Sequence, residues 1–120
     1  MNVTIVPYKL PDSVPTPKSE CGWIAIYEGE AIGWNSLIFE SHDTIKFANA
    51  YVKEEYRGQG IASELVETAK SLAAEKKFYK IVLTCSEALL PFYKRLGFEW
   101  QEQGQAYCMR LDFNYIKDKK

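Results

Sequence analysis

From Ile61 onward, apolar and polar positions alternate with the period of a helix. Ile61, Leu65, Val66, Ala69, Leu72 and Ala73 recur at helical spacing, with Glu64, Glu67, Lys70, Glu75 and Lys76 between them. This predicts an amphipathic helix running to Lys77, about 25 Å long at 1.5 Å per residue. The continuous apolar run Ile81-Val82-Leu83 suits a strand covered on both faces. A strand over Thr44–Val52 lies ahead of the helix, so strand, helix and strand follow in the order of a right-handed crossover between parallel neighbours.

The flanking patterns are shorter. Val3-Thr4-Ile5-Val6 reads as a strand ended by Pro7. Gly22–Tyr27 and Ala31–Phe39 read as an antiparallel pair joined through Glu28-Gly29-Glu30, with the glycine at positive φ. Between Lys9 and Glu20, Pro11, Pro15 and Pro17 stand among Asp12, Ser13 and Thr16, which predicts a loop and no helix. Beyond the crossover, Glu87–Leu96 reads as a second helix, with Ser86 as its cap, Pro91 near its first turn and Gly97 as its stop. Phe98–Gln103 and Ala106–Phe113 alternate about Gly104-Gln105 as a terminal hairpin, with Tyr107, Met109, Leu111 and Phe113 on one face.

Composition narrows the class. A chain of 120 residues with 47% apolar content is expected to form a single domain over 1–120. A net charge of −1 argues against nucleic acid and anionic membrane as partners. There is no apolar run long enough to span a bilayer, and Met1-Asn2-Val3-Thr4 lacks the start of a signal peptide, so the expected location is cytoplasmic. Cys21, Cys85 and Cys108 are widely spaced, with no Cys-x-x-Cys pair, so no metal site is expected. Cys85 ends a strand, but the chain's one histidine, His42, lies in a distant turn, which disfavours a Cys–His nucleophile.

The strongest chemical signal is Tyr56-Arg57-Gly58-Gln59-Gly60-Ile61-Ala62 at the head of the long helix. Two glycines spaced by one residue let successive N–H groups converge on one hollow, and the helix N-terminus adds partial positive charge. Arg57 brings a full charge to the rim. This is a cradle for a pyrophosphate. No Lys-Ser/Thr follows Gly60, which excludes a Walker loop. Ser63 stands where a dinucleotide fingerprint has its third small residue, but Lys53-Glu54-Glu55-Tyr56 separates the loop from its strand and residues 78–85 are apolar where the acid should fall.

Val52-x-x-x-x-Arg57-x-x-Gly60-x-Ala62 resembles the acyl-coenzyme A signature of the GNAT N-acetyltransferases, and Phe92-Tyr93-Lys94-Arg95-Leu96-Gly97-Phe98 resembles their second signature. The likeness spans roughly residues 22–113. In Tyr79–Glu87 and Pro91-Phe92-Tyr93 the chain is most similar to glucosamine 6-phosphate N-acetyltransferases. The resemblance implies an α/β (α+β) fold: a mixed twisted sheet of about six to seven strands with helices on both faces, the N-terminal helices being reduced here. It also implies acetyl-coenzyme A as co-substrate, contacted by Tyr51, Val52, Arg57, Gly58, Gln59, Gly60, Ile61, Ala62, Ser63, Ser86 and Phe92, with the backbone at Tyr51-Val52 splayed from its neighbour.

By the same resemblance Tyr93 protonates the departing thiolate, whereas the residue pattern alone also fits a core aromatic beside Phe92. Where the sugar-phosphate enzymes carry acids, this chain has Ala48-Asn49, and Asn49 orients a water but accepts no proton at neutral pH. Two readings follow. The first is an N-acetyltransferase acting on a primary amine of unspecified identity. The second is a degenerate coenzyme A-binding or protein-interaction module. With a proline-rich stretch in place of the family's helical acceptor wall, either the acceptor is large or a second subunit closes the site; the expectation adopted is a homodimer acting on a small-molecule amine in preference to a protein. Trp23, Trp34, Trp100 and Tyr107 are the rings considered for an interface.

Overall fold

The chain runs β1 (Thr4–Tyr8), β2 (Glu20–Tyr27), β3 (Glu30–Phe39), β4 (Thr44–Val52), α1 (Ile61–Glu75), β5 (Lys80–Cys85), α2 (Leu90–Arg95), β6 (Glu99–Gln103) and β7 (Ala106–Asp112). The computed structural model describes residues 2–10, 18–103 and 106–112, with the backbone alone for Asn49, 101–103 and 106–112. All strands join one sheet in the order β1-β2-β3-β4-β5-β7-β6. β4 and β5 are parallel and every other neighbouring pair is antiparallel. This is the expected mixed α/β sheet. No described helix is long and apolar enough to cross a membrane.

Local chemistry explains most boundaries. The β2–β3 turn is Glu28-Gly29, both at positive φ (49° and 78°), the backbone of a primed hairpin turn. β1 continues through Pro7, which pairs with Trp23; an edge strand tolerates a residue without an N–H, so the strand does not stop there as expected. Helix α1 stops at Glu75, just short of Lys77, in a Schellman arrangement. Lys77 takes φ 61°, its N–H bonds Ala74 O at 3.2 Å, and the Phe78 N–H bonds Ala73 O at 2.9 Å. Phe78 then stacks on Phe39 with centroids 5.5 Å apart, so the cap also seals the core.

The second helix is more broken than its sequence pattern. Glu87–Leu89 forms a 3₁₀ turn and the α-helix begins at Leu90, with Pro91 in its first turn. Ser86 occupies the cap position without a side-chain capping bond. Gly97, at φ 99°, ends α2, again with paired closing bonds: Gly97 N–H to Lys94 O and Phe98 N–H to Tyr93 O, both 3.1 Å.

The core lies between the sheet and α1. The predicted stripe Ile61, Leu65, Val66, Ala69, Leu72 and Ala73 is the buried face of that helix, meeting Leu37, Phe39, Ile45, Phe47, Ile81 and Leu83 of the sheet. Trp23 is buried here too, which removes it from the rings left over for an interface; the Tyr107 side chain lies outside the described residues. Asn35 is the buried polar residue of this layer. Its Oδ1 accepts the Trp23 N–H at 2.7 Å and its Nδ2 donates to Leu65 O at 2.9 Å, fixing α1 to the sheet.

In one detail the layering differs from the expected helices on both faces: among the described residues, both α-helices lie on the same face. Asn35 ties α1 to that face, Leu37 on β3 pairs with Phe47 on β4, and the Phe47 ring meets Tyr93 of α2 with centroids 6.4 Å apart. Lys70 of α1 donates to Leu96 O at 2.8 Å, just past α2. The cause is topological. The β4–β5 and β5–β6 connections step the same way across the sheet, and two right-handed crossovers in one direction put both helices on one side. Residues 11–17, expected as the proline-rich loop, lie outside the described residues.

Candidate active site

Two irregularities open the sheet at one place. Ser36 pairs with Asn49 and Leu37 with Phe47, so β4 carries an extra residue, Ala48, a bulge that bends the strand. On its other side, β4 pairs with β5 only from Thr44/Lys80 to Phe47/Leu83, and then runs on alone to Val52. The two parallel strands therefore part beyond the bulge. Tyr51 and Val52 stand on the lip of the gap.

After Val52 the chain makes a 3₁₀ turn and enters the glycine loop. Gly58 (φ 78°) and Gly60 (φ 85°) both use the left-handed region that glycine permits, and a Cβ at either position would meet no protein atom within 4 Å. It would project into open space. Gly60 is the N-cap of α1 and no side chain caps the helix. The first helical bond is Glu64 N–H to Gly60 O at 3.0 Å, so the N–H groups of Ile61, Ala62 and Ser63 precede it and are available to an anion. A pocket of about 300 Å³ lies against this turn, lined by Gly58, Gly60, Ile61, Ala62 and Ser63 of the loop and by Phe92 and Arg95 of α2.

Arg57 sits between this pocket and the strand gap. Its Nε donates to Val52 O at 2.7 Å and its guanidinium lies 5.5 Å from the centre of the Tyr51 ring, so the side chain folds back over the strand end. A second pocket, of about 340 Å³, occupies the gap and is lined by Ala50, Tyr51, Val52, Leu89 and Tyr93. The two hollows share Val52, Arg57, Ala62 and Phe92 as walls. They adjoin across these shared residues, one against the helix N-terminus and the other against Tyr93.

Tyr93 is fixed by aromatic edges. Phe92, Phe98 and Phe47 stand 5.0, 5.7 and 6.4 Å from its ring, each in a T-shaped pose. It is 6% exposed. Burial, and secondarily the neighbouring Cys85, push its phenol above the usual range, so it stays protonated at neutral pH. Both structural and chemical readings of this residue are thus compatible: it is a core ring that also borders the gap.

Among the expected site residues, Tyr51, Val52, Arg57, Gly58, Gly60, Ile61, Ala62, Ser63, Phe92 and Tyr93 line these two hollows. Gln59 and Ser86 are exposed and line neither, and the Asn49 side chain lies outside the described residues. Tyr56, Ala50, Leu89 and Arg95 also line the two hollows, although none is among the expected donor contacts. Arg95 had a signal: it follows Phe92 by three residues, so a helix sets both on one face.

The site thus joins a glycine loop at a helix N-terminus to a buried tyrosine beside a split strand pair. The Acetyltransferase (GNAT) domain family matches residues 18–100, and the chain belongs to that family. Among curated relatives, glucosamine 6-phosphate N-acetyltransferase of Trypanosoma brucei brucei is 39% identical over 61 residues, covering 51% of this chain and 39% of that protein. Human N-acetyltransferase 8B is 31% identical over 100 residues, covering 74% and 43% respectively. The chain thus spans less than half the length of either relative. In overall fold it is similar to a GNAT family acetyltransferase from Elizabethkingia anophelis with acetyl-CoA bound (TM-score 0.77, 19% identity, 93% of this chain and 99% of that one).

Proposed function

We propose that the chain is an N-acetyltransferase that moves an acetyl group from acetyl-coenzyme A to a primary amine. The observation that carries this reading is the adjacency of the two hollows, whose shared walls Arg57 and Phe92 lie between the glycine loop and Tyr93. Acetyl-coenzyme A supplies the activated acetyl thioester. Gly58, Gly60 and the first turn of α1 would hold its pyrophosphate, with positive charge from Arg57 and Arg95. Val52, Ala62 and Phe92 would line the way to the strand gap, where Tyr51 and Val52 border the acyl group.

In the transfer, the amine nitrogen bonds to the carbonyl carbon and the carbon–sulfur bond breaks. Tyr93 donates its proton to the leaving sulfur, while the proton lost from nitrogen passes to water. The described lining of the gap contains no carboxylate or histidine, which supports an amine that arrives already deprotonated. The expected kcat/KM then rises with pH toward the amine's own pKa. A plateau near neutral pH with a high-pKa amine would instead require a protein base.

Isothermal titration with acetyl-coenzyme A tests the donor site, and absence of binding at hundreds of micromolar would overturn the reading. A degenerate coenzyme A-binding or interaction module is the second reading, favoured by Asn49 in the strand position where the sugar-phosphate enzymes carry acids. Thiol release over a panel of amines separates the two, because such a module binds the donor and releases nothing.

We also infer a homodimer. Trp100, 50% exposed, stands on β6, one edge of the sheet, where a large exposed ring suits contact with a second copy. Sedimentation showing monomer alone at working concentration would overturn this.

A further inference from the structure

The sheet face turned away from the helices carries another hollow, of about 300 Å³, that the transfer machinery does not use. Tyr8 on β1 and Trp34 on β3 form its walls, with Ile24, Ala31, Asn35 and Ser36 between them. Strand register makes the space: Tyr8 pairs with Gly22 and Gly22 with Ser36, so a residue without a side chain separates them. Packing forbids anything larger there, because a Cβ on Gly22 would come 2.2 Å from the Asn35 carbonyl oxygen. Tyr8 and Trp34 are 49% and 40% exposed, large for rings on a sheet face.

One wall of this hollow touches the residue that borders the strand gap. Trp34 pairs with Tyr51 across β3 and β4, and their rings stack with centroids 4.9 Å apart at 32°. Tyr51 in turn borders the strand gap. From β2, beneath the hollow, to β4 is two strand spacings, about 10 Å. The helix-side cradle holds the donor's phosphates in the reading above, which leaves the opposite face as the approach for the acceptor.

We propose that this hollow seats the body of the acceptor, a primary amine carrying an aromatic group on a short flexible chain. The ring lies between Tyr8 and Trp34, and the amine reaches past Tyr51 to the acyl group. The proposal rests on the acetyltransferase reading and names its substrate class. A sugar phosphate fits poorly, since among the described residues the lining itself holds no cation and the one beside it, Lys9, has its ammonium over the Tyr8 ring, 5.2 Å from the centroid. A diamine fits poorly too: no carboxylate is among the described lining residues, and the Lys9 ammonium and Arg57 guanidinium already lie over the Tyr8 and Tyr51 rings. Two aromatic walls and two aliphatic residues match a flat apolar group.

The experiment compares 4-phenylbutylamine, hexylamine, 1,6-diaminohexane and glucosamine 6-phosphate by thiol release from acetyl-coenzyme A, and in parallel measures direct binding of 4-phenylbutylamine by calorimetry. The expected result is highest kcat/KM for 4-phenylbutylamine, with Trp34→Ala weakening its binding by about tenfold, the size of one lost ring contact. Ser36→Phe, which fills the hollow, should do the same without deleting a wall, and acetyl-coenzyme A affinity should not change in either variant. If hexylamine is as good a substrate, or if both variants bind 4-phenylbutylamine as the parent does, the proposal is overturned. If acetyl-coenzyme A fails to bind while Trp34-dependent amine binding persists, the acetyltransferase reading falls and the hollow stands as an aryl-amine site.

Discussion

Tyr93 is the residue on which packing and the proposed chemistry meet. Its ring is wedged among Phe47, Phe92 and Phe98, and its phenol, raised above the usual range by burial, is protonated at neutral pH, as the proposed proton transfer needs. Tyr93→Phe keeps the ring and removes the proton. Turnover should drop by roughly 10²- to 10⁴-fold with donor affinity unchanged, as measured by steady-state kinetics beside calorimetry. An unaltered kcat would leave Tyr93 a core ring and nothing more. Gly60 makes a different test. A Cβ there meets no protein atom, but φ 85° strains any other residue by about 1–2 kcal/mol and the branched side chain of Gly60→Val would stand in the anion hollow. The variant should remain folded yet lose acetyl-coenzyme A binding; normal affinity would place the pyrophosphate elsewhere.

At the scale of elements, the attachment of α1 to the sheet decides the site, because the helix N-terminus and the strand gap must stay in register. Asn35 is the polar part of that attachment, bridging Trp23 N–H on β2 and Leu65 O on α1. Asn35→Ala leaves the Trp23 N–H buried without its acceptor and should cost about 1–3 kcal/mol in urea unfolding. A change below half a kcal/mol would show that water or a shifted strand replaces the amide. The amphipathic stripe of α1 and its glycine loop were readable from sequence, since both depend on local periodicity and backbone freedom. The Asn35 bridge was not. An asparagine in a strand pattern carries no mark of the helix it will meet 30 residues later.

For the whole molecule, burial of Cys21 links stability to alkaline pH. The thiol is in the core and its pKa is raised to about 11 from the ordinary 9.0, through desolvation. The unfolded chain loses this proton first, so it binds fewer protons than the folded chain and stability falls as pH rises through that window. Buried Tyr93, whose phenol is also raised by burial, acts in the same direction. Denaturant unfolding from pH 8.5 to 10.5 should therefore show a decline that is shallower in Cys21→Ala. Equal slopes in the two proteins would mean that the thiol ionises as easily folded as unfolded.

The sequence by itself determined the strand–helix–strand crossover, the left-handed glycines of the anion loop and the Phe-Tyr pair, because each rests on side-chain periodicity or on a backbone conformation that few residues adopt. Its family signatures pointed to the right class for the same reason, being short and local. Only the tertiary structure decided that both helices share one face, that Arg95 lines the pocket beside the glycine loop, and that Arg57 folds back on Val52 and Tyr51. It also decided that Trp23 is core while Trp34 is surface, although both are tryptophans in adjacent strands of one hairpin. The two rings point to opposite faces of the sheet, and only the packed helix makes one of those faces the inside.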